Sequence, residues 1–187
     1  QPDCSLETLI LSRNHIDDMG ATALAAGVSG CRTLLRLVLD GNQIGDGLVP
    51  LAQCCGLQSL SLRDNAITDD ILGKLDPGRR EVSASRVAEI EENVEGSRAS
   101  ISPSLVTLNL SQNQIGMFGG QALSRILTLP HCGLRDLDLF DNKLGDNGLV
   151  FLTKCLEFNT TILRLSFGCL LHITTITITQ CCHLPDC

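Results

Sequence analysis

Leu105-Val-Thr-Leu-Asn-Leu-Ser-Gln-Asn-Gln-Ile115 and Leu134-Arg-Asp-Leu-Asp-Leu-Phe-Asp-Asn-Lys-Leu144 decide how this chain folds. Both fill the frame Leu-x-x-Leu-x-Leu-x-x-Asn-x-Ile/Leu, one from Leu105 and the other from Leu134. The frame recurs upstream at Leu6, Leu9, Leu11, Asn14, Ile16, at Leu34, Leu37, Leu39, Asn42, Ile44, and at Leu57, Leu60, Leu62, Asn65, Ile67. A worn sixth copy starts at Ile162, with Leu165 and Phe167 in register and Leu170 in the Asn slot. A recurring period of this kind marks a stacked solenoid, in which each unit buries its apolar face against its neighbours.

Alternation across Leu108 and Leu110 is the period of a strand, which sends the leucines to one face and the residues between them to the other. After each short strand the backbone must bend, leaving N–H and C=O groups inside. An Asn side chain satisfies both kinds, since it donates and accepts. Asn14, Asn42, Asn65, Asn113 and Asn142 are therefore read as a structural ladder. Truncating one is expected to cost about 1–3 kcal/mol.

Between strands, the segments from Gly20 to Val28, Gly119 to Leu127 and Gly148 to Leu156 carry helical signals, such as the stripe Leu123, Ile126, Leu127. Asp17, Asp18, Asp69, Asp70 and Asp146 fall near the helix starts, where carboxylates cap free N–H groups. The long repeats from Leu6, Leu105 and Leu134, each with room for a helix, and the approach Leu129-Pro-His-Cys-Gly-Leu134, resemble the ribonuclease-inhibitor-like class of leucine-rich repeats. The resemblance implies an α/β solenoid, a right-handed β-α superhelix with a curved parallel sheet inside and helices outside. Its members include ribonuclease inhibitor, the recognition arms of intracellular nucleotide-binding immune receptors and Ran GTPase-activating proteins. They share a fold and not a function.

The expected organisation is a solenoid over residues 1–167, with five clear repeats and one degenerate one. The repeat from Leu34 gives way to the next already at Leu57, so its outer side should be tight. Leu57 and Leu105, by contrast, stand too far apart for a single repeat, and residues 76–104 between them are read as a charged surface excursion in preference to a decayed repeat. Residues 168–187 form an atypical tail. Its Cys181, Cys182, His183 and Cys187 lack the second spaced pair of a zinc site, so no metal is expected. The first frame starts almost at Gln1 with no capping unit, which suggests a piece of a longer protein.

Composition narrows the partners. Fourteen basic and 21 acidic residues give a net charge of −7. Without a Lys/Arg stripe, that argues against nucleic acid or an anionic membrane. The most apolar window, Leu163 to Thr179, contains Arg164 and His172 and is unsuited to spanning a bilayer. Cys31, Cys54, Cys55, Cys132 and Cys155 each fall late in a repeat, where a small apolar side chain packs well. They are read as reduced thiols of a cytoplasmic protein. In a secreted protein the sequons at Asn109 and Asn159 would be usable instead.

Because the leucines are committed to the core, partners meet the residues between them. Arg13, Arg36 and Arg63 are expected to form a basic column at one end of the concave face. At the other, Asp136, Asp138 and Asp141 surround Phe140, with Asn109 nearby. Charges steer and select, and an exposed Phe140 would anchor. The four histidines, His15, His131, His172 and His183, occupy unrelated frame positions, and Gly119-Gly120 has no following Lys-Ser/Thr. No catalytic residue and no cofactor is expected. The expected function is a non-catalytic, monomeric protein-interaction module within a larger receptor or scaffold. The alternative is a GTPase-activating protein resembling the Ran-directed family.

Overall fold

The computed structural model describes residues 5–76, 78 and 101–168. Among the described residues, six short strands alternate with five helices. The strands are β1 (Thr8–Ile10), β2 (Arg36–Val38), β3 (Ser59–Ser61), β4 (Thr107–Asn109), β5 (Asp136–Asp138) and β6 (Arg164–Ser166). The helices are α1 (Asp18–Val28), α2 (Leu48–Ala52), α3 (Asp69–Leu75), α4 (Met117–Leu127) and α5 (Gly145–Cys155). All strands pair in parallel in chain order, β1 to β6, so each coil adds one strand beside the last. The fold is an α/β leucine-rich-repeat solenoid, and its worn sixth copy supplies β6.

Apart from the exposed Leu6, the described frame leucines are consumed in one continuous core. Leu37, Leu39, Leu60, Leu62, Leu108 and Leu110 are fully enclosed, and Leu137 and Leu139 nearly so. They pack against Ala21, Leu48, Leu72, Leu123 and Leu152 from the helices. Register keeps equivalent residues side by side: Leu37 pairs with Leu60, Leu60 with Leu108 and Leu108 with Leu137. The repeat from Leu34 has only the short α2, where α1, α4 and α5 are each about twice as long. Fewer residues per coil leave room for barely one turn.

Strand β3 pairs directly with β4, although Ser61 and Thr107 are far apart in the sequence. Both sides of that connection are anchored. Asp76 is buried against Arg125 at 2.9 Å and accepts from the Gly78 N–H, while Ser102 donates its N–H to the Ala52 carbonyl beside the buried Ile101. The expected charged excursion over 76–104 lies mostly outside the described residues, as does the tail from 169 onward with its cysteine and histidine cluster.

The asparagine ladder runs backward along the chain. Asn113 accepts from the Asn65 and Ile67 N–H groups through Oδ1 and donates through Nδ2 to the carbonyls of Leu62 and Leu110. Asn42 does the same for Asn14, Ile16, Leu11 and Leu39. Asn65 accepts from Ile44 and donates to Leu39, and Asn142 accepts from Ile115 and donates to Leu110. Asn14, assigned to the same ladder from its frame position, departs from it. It is exposed, and its side chain reaches only the Ser12 carbonyl.

The aspartates at the helix starts also act between coils. Asp17 caps α1 by accepting from the Gly20 N–H. Asp18, expected to cap its own helix, instead accepts from the Gly45 and Gly47 N–H groups of the next coil. Asp69 likewise accepts from Gly116 in the coil after it. Gly120, in the first turn of α4, permits backbone contact between neighbouring helices, while Gly119 leaves room for the side chains of Asp69 and Ile115. A Cβ on Gly120 would meet the Gly148 carbonyl at 3.1 Å.

Candidate functional site: the open strand face

With the central leucine of each strand turned inward, the outward strand positions form two rows. The first is Thr8, Arg36, Ser59, Thr107, Asp136 and Arg164, and the second is Ile10, Val38, Ser61, Asn109, Asp138 and Ser166. Polarity changes along the second row. Ile10 is 63% exposed and Val38 buried, whereas the later positions are polar and half-buried.

A third row lies on the turns. Arg13, Gly41, Asp64, Gln112 and Asp141 immediately precede the five ladder asparagines, and all have positive φ between 55° and 67°. The left-handed conformation therefore belongs to the frame itself: it turns the chain so that the Asn can point inward. His15, just past Asn14, shares it at 54°.

This geometry corrects three expectations about the site. The arginine column does not form, because Arg13, Arg36 and Arg63 occupy different rows. Arg36 is on β2, Arg13 on a left-handed turn, and Arg63 directly after the inward Leu62. A cleft of about 440 Å³ holds Arg13 and Arg63 with Asp40, Asp64 and Gln112. There the Arg63 Nε donates to Gln112 Oε1 at 2.8 Å. Asp40 accepts from the Ser61 hydroxyl at 2.6 Å and from the Arg63 N–H. That end carries mixed charge.

Phe140 is half-buried and does not stand exposed among aspartates. It lies where the chain leaves β5, with its N–H donated to Asp138 Oδ1 and its carbonyl accepting from the Gln112 N–H. Among the described residues the well-exposed phenylalanines are Phe118 and Phe158, on the helix side.

The acidic end is half-neutralised. Arg164 of β6 donates from Nε and Nη2 to both oxygens of Asp136, at 2.6 and 3.0 Å. That pairing, against a weaker opposing effect of burial, holds the Asp136 carboxyl below its ordinary pKa. The signal for Arg164 was present in the sequence, since it holds the same place in the worn sixth copy that Asp136 holds in the copy before it. Asn109 is also partly committed: its Oδ1 accepts from the N–H and hydroxyl of Ser111. Asp141 lies on the turn row, 3.5 Å from the Gln112 amide nitrogen.

The sequon at Asn159 has no free side chain. Asn159 is buried, donating to the Leu127 carbonyl at 2.6 Å and accepting from the Ile162 N–H at 2.7 Å. Cys54, Cys132 and Cys155 are buried unpaired thiols. Burial pushes all three up, Cys155 to about 11. They are inert packing groups at neutral pH. Among the described residues no helix is long and apolar enough to cross a membrane.

The chain belongs to the leucine-rich repeat family, whose pattern matches residues 3–25, 30–52, 53–75, 102–124 and 132–152. Within that family it is similar to two larger proteins. It is 29% identical over 173 residues to human NACHT, LRR and PYD domains-containing protein 5, covering 89% of this chain and 13% of that protein. It is 27% identical over 173 residues to mouse NACHT, LRR and PYD domains-containing protein 14, covering 89% and 15%. Solved structures with a similar course include the tropomodulin C-terminal domain of Caenorhabditis elegans, at 15% identity and a TM-score of 0.45 over 89% of this chain and 75% of that one. Another is a pollen receptor kinase 3, at 16% identity and a TM-score of 0.42 over 90% and 66%.

Proposed function

We propose that this chain is a non-catalytic protein-interaction module that meets a protein partner across its open strand face. The observation behind this reading is the division of labour within each strand. The strand leucines and the ladder asparagines from Asn42 onward turn into the coil, while the residues between them carry varied, partly uncommitted polar groups. Such a surface suits recognition, since its side chains can change without disturbing the core. The two relatives place their repeats beside NACHT and PYD domains by name, and this chain spans only 13% and 15% of them. We therefore assign it as the recognition arm of a larger protein. Buried, unpaired Cys54, Cys132 and Cys155 favour a reducing, cytoplasmic setting. No observation favours the GTPase-activator alternative.

Photo-crosslinking of the full-length protein tests the face. A photoreactive residue at Ser59 or Thr107, on the strands, should capture a common partner, and one at Thr153, on α5, should not. Capture of that partner only from the helix side would overturn the assignment.

A further inference from the structure

Resting on the strand face as the partner surface, we infer that its anchor point is a pocket over β4, β5 and β6 that takes a cationic side chain, of the arginine class, from the partner. The pocket has a volume of about 240 Å³ and is lined by Thr107, Asn109, Asp136, Asp138, Arg164 and Ser166 over the Leu108 and Leu137 positions. Two of its three charges cancel. Arg164 engages both carboxylate oxygens of Asp136, and the Thr107 hydroxyl donates to Asp136 as well. What remains is Asp138. Its Oδ1 accepts from the Phe140 N–H at 3.0 Å, and its Oδ2 accepts from nothing among the described residues.

The neighbours of that oxygen complete the preference. Asn109 uses Oδ1 internally, for Ser111, which fixes the amide orientation on its strand. The Ser166 hydroxyl, two strands away in the same row, makes no hydrogen bond among the described residues. The lining thus offers one uncompensated carboxylate with a flanking hydroxyl that can accept, a match for a guanidinium's several donors. An anionic side chain would meet Asp138 unscreened, and an apolar one would leave that carboxylate desolvated. The anchor therefore comes from the partner, in place of the Phe140 that the sequence suggested.

The test uses acetyl-Gly-Arg-Gly-amide as probe, with citrulline as the uncharged isostere of arginine, and reads ¹⁵N amide shifts in low salt. The arginine peptide should move the amides of Asn109, Asp138 and Ser166, and the citrulline peptide should move them far less. Asp138→Asn, which keeps an oxygen for the Phe140 N–H, should weaken binding by about threefold, in the range of an exposed charge pair. Arg164→Met should strengthen it by a similar factor, because it releases Asp136. Equal response to both peptides, no response, or weakening in Arg164→Met overturns the pocket. Strand-face shifts indifferent to charge overturn the pocket alone, whereas shifts confined to α4 and α5 overturn the strand-face assignment with it.

Discussion

Asn14 and Asn113 hold the same place in the same frame, yet one side chain is exposed with a single local hydrogen bond and the other is buried with bonds into two coils. Their letters are identical and their neighbours are not. A ladder residue is useful only when an earlier coil presents unsatisfied backbone to it, so stability in this fold is a property of interfaces between repeats. The leucines repeat the lesson: Leu108 is fully enclosed, while Leu9, its counterpart in β1, is only partly buried.

The sharpest way to break that contrast is to truncate both leucines. Leu108→Ala should destabilise by about 3–4 kcal/mol in urea denaturation, and Leu9→Ala by about 1 kcal/mol or less. Equal losses would mean that Leu9 is packed as well as Leu108. Next in size, Asn113→Ala should cost about 2–3 kcal/mol, since it strands the Asn65 and Ile67 N–H groups and the Leu62 carbonyl, while the Leu110 carbonyl keeps the Asn142 amide. Asn14→Ala should stay within about 0.5 kcal/mol of the parent.

A smaller effect tests the far end. Arg164 holds the Asp136 carboxyl below its ordinary pKa in the folded chain. The pair therefore adds stability above the unfolded carboxylate pKa of about 3.9, and that contribution is lost as pH falls through the folded value below it. Denaturation should show Arg164→Met less stable than the parent at pH 7, with the gap closing toward pH 2. A gap that widens in acid would contradict the assignment. The smallest change should be indifferent to position. Arg13→Gly in the first repeat and Asp64→Gly in the third both relieve a left-handed turn, so each should be neutral or stabilising by up to about 1 kcal/mol. A marked loss at either would show that the turn conformation depends on its side chain.

What was legible in the sequence was whatever the period carries. The strand positions, the inward leucines, the parallel order and the cramped outer side of the short repeat from Leu34 follow from the spacing of Leu and Asn. What depended on a neighbouring coil was hidden. Asp18 and Asp69 looked like ordinary helix caps until the next coil's glycine amides were placed beside them. The arginines looked like a column because the left-handed turn at Arg13 is invisible in composition. The acidic end looked uncompensated because Arg164 lies in a copy whose Asn slot has been lost.

Arg36 and Leu37 are adjacent in β2, one facing out and one fully enclosed. Urea denaturation of Arg36→Ala and Leu37→Ala, side by side, puts the division between free face and core to the most direct measurement. The expected result is a midpoint unchanged within error for Arg36→Ala and a loss of about 2–5 kcal/mol for Leu37→Ala. Comparable losses for the two would contradict it.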